Sequence, residues 1–290
     1  MRIGIHGKEF DDQTAIIIQQ LFKVILAKGA TIFVSEKYEK ILQQSLVEFN
    51  EYNTYDQEDL SGLELMLTLG GDGTLLEAVS QIGALETPIL GINTGRLGFL
   101  ATTSKEDVFQ AVDEVFSKNY EFDDRKLLRL ETEGELFGDK NFALNDFTIL
   151  KKDTSSMIVI HTYINGDFLN SYWADGLIIS TPTGSTGYSL SCGGPLILPR
   201  SNNFVITPIS PHNLTARPMV VSDNSEITLK IEGRSDTFLV SLDSRFEIVQ
   251  SGVTLKVVKE SFKAKLIKLP SNQIFETLRQ KLNWGIDIRN

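Results

Sequence analysis

Apolar residues recur along the first third of the chain with two alternating periods. Arg2–His6 (RIGIH) reads as a short buried strand stopped by Gly7. Asp11–Lys28 then carries Ile17, Leu21, Val24 and Ile25 at helical spacing, with Asp11 or Asp12 as cap and Gly29 as terminator. Ala30–Val34 reads as a second strand, Glu36–Leu46 as a polar helix, Leu63–Leu69 as a third strand and Thr74–Ile82 as a helix. Pro88 breaks the chain before a fourth strand, Ile89–Ile92. Ser104–Phe116 reads as a further helix, with Ser104 and Asp107 at capping-box spacing. This alternation predicts an α/β domain: a Rossmann-like parallel sheet with helices on both faces.

From about Asp123 the period shortens to two. Lys126–Glu131, Ala143–Leu150, Met157–Ile164, Leu177–Thr181, Glu226–Glu232, Thr237–Leu242, Phe246–Gln250, Thr254–Lys259 and Phe262–Leu269 read as strands. Asn165-Gly166 marks a hairpin, because that pair accepts the left-handed backbone a two-residue turn needs. Helical periodicity returns at Gln273–Leu282. The expected organisation is an α/β domain over 1–122, a mainly antiparallel β domain over 123–269, and a C-terminal helix and tail over 270–290 that packs back on the first domain.

With 41% hydrophobic and 23% charged residues in 290, the chain is globular and long enough for a large core. It carries 28 basic and 38 acidic residues, a net charge of −10, so it lacks the basic footprint of a nucleic-acid binder. Phosphate ligands stay admissible, since backbone N–H groups and metals hold them locally. The lone cysteine, Cys192, allows no internal disulfide, and His6, His161 and His212 make no zinc pattern. No apolar run reaches the roughly 18 residues of a membrane span, and the first residues show no secretory pattern, so a cytoplasmic setting without a membrane partner is expected.

The most informative segment is Leu67-Thr-Leu-Gly70-Gly71-Asp72-Gly73-Thr74. A buried strand runs into three glycines around one aspartate, and a helix starts at once. Ligands of open α/β sheets sit at the carboxyl ends of the strands, where successive N–H groups and a helix N-terminus cradle phosphate. An obligate anion in such a loop is out of place unless it does chemistry, binds metal or caps the helix; as a chemical group Asp72 is the candidate general base. The loop is not a P-loop, for the one Gly-Lys pair, Gly7-Lys8, continues with Glu9. It is not the dinucleotide fingerprint either, since Leu76 stands where the last glycine belongs. A second glycine turn, Gly91-Ile-Asn93-Thr94-Gly95-Arg96-Leu97-Gly98-Phe99-Leu100, follows the fourth strand at the same sheet edge and can face the first across one crevice.

The β-rich half adds Trp173-Ala-Asp175-Gly176, then the run Ser180–Pro195, dense in small hydroxyls and glycines around Tyr188. Such residues are expected to build no core; Tyr188 can stack a base while hydroxyls and backbone groups bond its edge. Asn145-Asp146 interrupts an apolar strand, and since neighbours on a strand face opposite sides, one of the two must point inward or into a cleft. A buried carboxylate needs a partner, and a ribose hydroxyl would serve.

Together these residues resemble the NAD kinase (ATP-NAD kinase) family. Its GGDGT stands here as Gly70–Thr74, its NTGxLGFL as Asn93–Leu100, its Asn-Glu pair as Asn145-Asp146, and its DGxxxSTPTGSTAY as Asp175–Tyr188. Its Thr-Pro-Ile-x-Pro-His segment stands as Thr207–His212. Three positions depart: Asp146 is one methylene shorter than glutamate, Gly187 replaces a common alanine, and the late Asp-Gly-Gln reads Asp243-Ser244-Arg245.

The resemblance implies transfer of the ATP γ-phosphoryl group to the 2′-hydroxyl of the adenosine ribose of NAD+, giving NADP+. It implies Asp72 as the base, Gly71, Gly73 and Thr74 on phosphates, and Phe99 lining the pocket. Asn145 and Asp146 would hold a ribose, Thr186, Gly187 and Tyr188 the adenine, and Asp175 and Ser191 the rest of the dinucleotide, with Asp243 a further dinucleotide-binding residue. It also implies Mg2+ carried mainly by ATP and a homodimer or homotetramer. Two other readings share the glycine loop: a lipid kinase of the diacylglycerol type, and a non-catalytic NAD(P) sensor.

Overall fold

A computed structural model of the protein describes residues 1–45, 47, 49, 51–56, 59–95, 98–152 and 157–283. The elements open with β1 (Arg2–Gly7), α1 (Asp12–Ala27), β2 (Thr31–Ser35), α2 (Glu36–Gln43) and β3 (Asn53–Tyr55). They continue with β4 (Leu65–Leu69), α3 (Asp72–Ile82), β5 (Ile89–Asn93), β6 (Thr103–Ser104) and α4 (Val108–Phe116). Then come β7 (Glu121–Thr132), β8 (Phe142–Ala143), β9 (Asp146–Lys151), β10 (Ile158–Ile164), β11 (Asp167–Ala174), β12 (Gly176–Ser180) and the one-turn α5 (Tyr188–Ser191). The chain closes with β13 (Asn203–Ile209), β14 (Met219–Ser222), β15 (Ile227–Glu232), β16 (Thr237–Leu242), β17 (Arg245–Gln250), β18 (Thr254–Lys268) and α6 (Ile274–Leu282).

The chain divides into two units, Met1–Asp124 with the residues from Ala264 on, and Arg125–Lys263. The expected divisions lay after 122 and after 269; β18 runs through the second junction without a break, so no turn chemistry marks it.

In the first unit the sheet order is β3-β2-β1-β4-β5, and every pair is parallel, as in Ile3↔Ile32, Ile5↔Leu67 and Leu67↔Leu90. The end of β18 joins β5 in parallel at Leu266, and β6 pairs β5 at Ile92↔Thr103. Helix α1 starts where Asp11 accepts the Thr14 N–H at 2.8 Å and buries Ile18, Leu21, Phe22 and Ile25. It ends before Gly29, whose φ of +76° needs no Cβ. The direction of chain travel across the sheet reverses between β1 and β4, and that switch point is where α/β sheets open a ligand crevice.

The second unit is antiparallel. One sheet runs β11-β10-β15-β18 and the other β14-β13-β12-β9-β16-β17. Phe147, Phe204 and Phe238 of the second meet Ile160, Leu229 and Leu255 of the first in one core. Asn165 and Gly166 form the β10–β11 turn at φ +53° and +87°, the conformation that pair was expected to take.

Several boundaries shift. Helix α3 begins at Asp72, and Leu63 and Glu64 precede β4. The Ser104–Asp107 box exists, with Ser104 Oγ donating to Asp107 at 2.7 Å, but α4 starts only at Val108 because Thr103–Ser104 is drawn into the sheet as β6. Helix α2 stops at Gln43; Leu46, its expected end, lies outside the described residues, as do Arg96 and Leu97 of the second glycine turn and the tail 284–290. The strand expected over Ala143–Leu150 is broken between β8 and β9, where the Leu144–Asp146 amides turn to Asp243. The strands expected at Thr254–Lys259 and Phe262–Leu269 are one, since buried Glu260 between them is met by Arg129 at 3.6 Å and by Ser261. Strands β3, β6, β11, β13 and β14 lie outside the expected set. No described helix is long and apolar enough to cross a membrane.

Candidate functional site

The expected site residues fall into two sets, one in each unit. In the first unit, Asp72 opens α3 directly after the exposed Gly71. Its carboxylate reaches back to the second glycine turn: Oδ2 accepts the Phe99 N–H at 2.8 Å, and Oδ1 accepts those of Leu100 at 3.0 Å and Ala101 at 2.9 Å. The two glycine turns are thus joined through one side chain. A carboxylate offers about four lone-pair positions. With two taken on Oδ1 and one on Oδ2, one acceptor position on Oδ2 stays available to a further donor.

Gly98 makes this contact sterically possible, and Gly70 lets the loop close on Thr74. A Cβ on Gly70 would lie 2.2 Å from Thr74 Oγ1, and one on Gly98 would lie 1.9 Å from Asp72 Oδ1. Gly71 has open space beside it, so a ligand can approach its backbone. The helix start leaves the Asp72 and Gly73 N–H groups without an intrahelical acceptor. The Thr74 N–H already donates to Gly71 O at 3.0 Å, and the Thr74 side chain is buried against Gly70. Phe99 is half-buried, with the Lys281 ammonium of α6 5.6 Å from its ring centre.

Beside the loop stands a cluster outside the expected site residues. Glu77, one turn into α3, accepts from Lys37 at 2.7 Å and pairs with His6 Nε2 at 3.1 Å; Lys8 Nζ stands 3.8 Å from its other oxygen. Burial opposes the Glu77 charge, but the Lys37 and His6 hydrogen bonds outweigh it and hold the carboxyl below its ordinary range. Burial pushes His6 down, offset in part by Glu77, so the ring is neutral at neutral pH. The signal in the sequence was positional: Lys8 directly follows β1, at the same sheet edge as the glycine turn.

In the second unit, Asn145 and Asp146 stand at the break between β8 and β9. Asp146 is the buried member; its carboxylate accepts from Thr148 Oγ1 at 2.9 Å. Burial, and then the charge of Asp243, push its carboxyl up to about 6 against the pull of Thr148. Asn145 is half-buried, and its carbonyl accepts the Thr181 N–H at 2.8 Å. Asp243, in the β16–β17 turn at φ +54°, accepts the N–H groups of Leu144 (3.0 Å), Asn145 (2.7 Å) and Asp146 (3.3 Å). Burial raises its carboxyl despite those bonds and the nearby Arg245. Arg245, which replaces the family's glutamine, donates to the carbonyls of Lys140 and Phe142, so it secures the same corner from the other side.

The hydroxyl-rich run does build interior, contrary to expectation. Ser180, Thr181, Thr183, Ser185 and Ser189 are buried. Thr181 Oγ1 donates to Leu144 O at 2.5 Å, Ser185 Oγ donates to Pro182 O at 2.7 Å, and Ser189 Oγ meets Thr207 Oγ1 at 2.8 Å. Small hydroxyls bond the backbone of a tightly turned segment that Gly184 lets press on Asn145, where a Cβ would stand 2.2 Å from the carbonyl oxygen. Of its expected site residues, Gly187, Tyr188 and Ser191 are exposed and Thr186 is half-buried. Tyr188 keeps 43% of its surface. Burial, and then Cys192, Asp146 and Asp175, hold its hydroxyl above the usual range, which places those acids around it. Asp175 is ion-paired with Lys151 at 2.5 Å, a partner the motif did not announce. Among the described residues no group of three or more His, Cys, Asp or Glu side chains could hold a metal ion.

Comparison with known proteins shows the family to which the chain belongs. Residues 3–120 match the ATP-NAD kinase N-terminal domain family and residues 144–269 the ATP-NAD kinase C-terminal domain family. The chain is 50% identical over 292 residues to the NAD kinase of Cytophaga hutchinsonii, with 100% of each chain covered. It is 40% identical over 290 residues to that of Bacteroides fragilis, again over 100% of each. Two solved structures share the fold. Yeast NADH kinase complexed with NADH has a TM-score of 0.88 at 24% identity, covering 100% of this chain and 89% of that one. An Archaeoglobus fulgidus NAD kinase in complex with ATP has a TM-score of 0.75 at 24% identity, covering 98% and 99%.

Proposed function

The chain belongs to the NAD kinase family, and we propose that it runs the family reaction with Asp72 as general base. The γ-phosphoryl group of ATP passes to the 2′-hydroxyl of the adenosine ribose of NAD+. A bond forms between that oxygen and the γ-phosphorus, the bond to the β–γ bridging oxygen breaks, and NADP+ and ADP leave. The observation that carries Asp72 is its geometry: three backbone N–H groups fix the carboxylate, and one position on Oδ2 remains for the attacking hydroxyl. A ribose hydroxyl is a weak nucleophile, and a positioned base supplies about 10²–10⁴ in rate. Phosphoryl transfer otherwise depends on alignment and charge stabilisation.

Gly71 and Gly73 offer backbone to the donor phosphates, with Thr74 bracing the loop from inside. Phe99 lines the ribose side of Asp72. Asp146 and Asn145 hold a ribose, Tyr188 with Thr186 and Gly187 holds the adenine, and Asp175 and Ser191 hold the remainder of the dinucleotide. Asp243 acts on substrate only through the backbone of 144–146. Mg2+ would arrive with ATP and would offset the charge of its phosphates. The exposed Phe246 and Ile248 on β17, an edge strand, support self-association as a homodimer or homotetramer. The single cysteine fits a cytoplasmic setting.

The test is to incubate the pure protein with ATP, Mg2+ and NAD+ and assay NADP+. Asp72→Asn lowers kcat by about 10²–10⁴ while NAD+ still binds. Near-normal turnover in that variant removes Asp72 from the chemistry, and binding without turnover in the unaltered protein favours the sensor.

A further inference from the structure

We propose that Lys8 binds the phosphate oxygens of the donor nucleotide, its ammonium poised over Gly73. This rests on the reading above that the donor phosphates lie along the glycine loop. Lys8 follows β1, and its N–H donates to Leu69 O at 3.1 Å, the last residue of β4. The residue is therefore tied to the switch point of the sheet. Its Nζ stands 3.1 Å from where a Cβ on Gly73 would be. Any side chain at 73 would press the ammonium aside, so glycine there serves Lys8 as well as the loop.

The bonding around Glu77 leaves Lys8 uncommitted. Lys37 and His6 both engage Oε2, at 2.7 and 3.1 Å. Lys8 lies 3.8 Å from Oε1, beyond hydrogen-bond reach, and its side chain is half exposed at 49%. An exposed pair at that distance adds little to stability. Among the described residues the ammonium has no hydrogen-bond acceptor, so its three donors are available to a ligand. With His6 neutral, two lysines face one glutamate, and the cluster carries one net positive charge in a chain whose total is −10. A triphosphate arriving at this edge meets attraction from Lys8 and not the repulsion of the chain as a whole.

The test compares Lys8→Met with the unaltered protein by ATP titration in the presence of Mg2+, by steady-state kinetics, and by thermal melting. The Kd and KM for ATP rise about 10- to 100-fold, as for loss of a charge-assisted hydrogen bond. The KM for NAD+ stays within about twofold and the melting temperature is unchanged, a split that a merely structural lysine would not produce. An unchanged ATP Kd, or equal rises in the KM of both substrates, overturns the proposal. Weaker ATP binding by Lys8→Met, in a protein that makes no NADP+, would uphold Lys8 while the kinase reading fails. Normal turnover with unaltered ATP binding would do the reverse.

Discussion

Gly98 and Asp72 stand so close that no side chain fits between them: a Cβ on residue 98 would lie 1.9 Å from Asp72 Oδ1 and 2.6 Å from its Cγ. The demand for glycine there is spatial. Gly98→Ala must push the carboxylate off the Phe99–Ala101 amides. Misplacement of a catalytic group by about 1 Å costs on the order of 10²-fold, so kcat should fall by about that factor while the NAD+ Kd holds. An unchanged kcat would mean that the carboxylate need not sit where these amides hold it.

Tyr188 presents its ring from the one-turn α5 with nearly half its surface open. Base stacking on an aromatic residue is worth about 1–3 kcal/mol. Tyr188→Ala should raise the NAD+ KM by about 5- to 100-fold without altering that of ATP, and Tyr188→Phe should restore it. If the alanine variant keeps its NAD+ KM, the ring does not touch the base.

Asp146 gives a pH dependence of definite sign. Burial raises its folded pKa from 3.8 to about 6. Its neutral form is therefore the one folding favours; that contribution is complete below about pH 4 and is lost as pH rises through 6. Asp146→Asn removes the ionisation. Relative to the unaltered protein, the variant should gain on the order of 2–3 kcal/mol between pH 4 and 8. Denaturant melts across that range measure the difference, and a flat one would mean that Asp146 folds ionised at no cost.

Asp243 collects three backbone donors of the β8–β9 break. Asp243→Ala leaves these N–H groups unpaired at a buried corner, where each orphan costs about 1–3 kcal/mol. Allowing for rearrangement, the variant should lose about 2–4 kcal/mol of stability by urea unfolding and bind NAD+ more weakly. A loss below about 1 kcal/mol would show that other acceptors replace the carboxylate.

Local chemistry was readable wherever a few neighbouring residues settle the backbone. Asn165-Gly166 had to turn, because few other pairs take two successive positive φ values. Asp11 or Asp12 had to cap the helix that carries the stripe from Ile17 to Ile25, and Asp11 does so. Strand β13 was hidden by Pro208, which usually marks an edge or a break. Here the proline lies past the last pair with β14, Ile206↔Met219, so its missing N–H leaves no gap on that side. The hydroxyl-rich run misled for a related reason: polarity predicted surface, whereas its hydroxyls find backbone partners in the interior.

From the chain alone came the alternating periods, the acid within three glycines, the outward tyrosine and the family they resemble, since each is a matter of composition within about a dozen residues. Tertiary structure alone decided the partners: Asp72 with amides 27, 28 and 29 positions away, Asp243 with the 144–146 backbone, and Lys8 with Gly73. Those meetings follow from strand order and register, which arise when whole sheets bury their faces, and no local period encodes which strand will lie beside which.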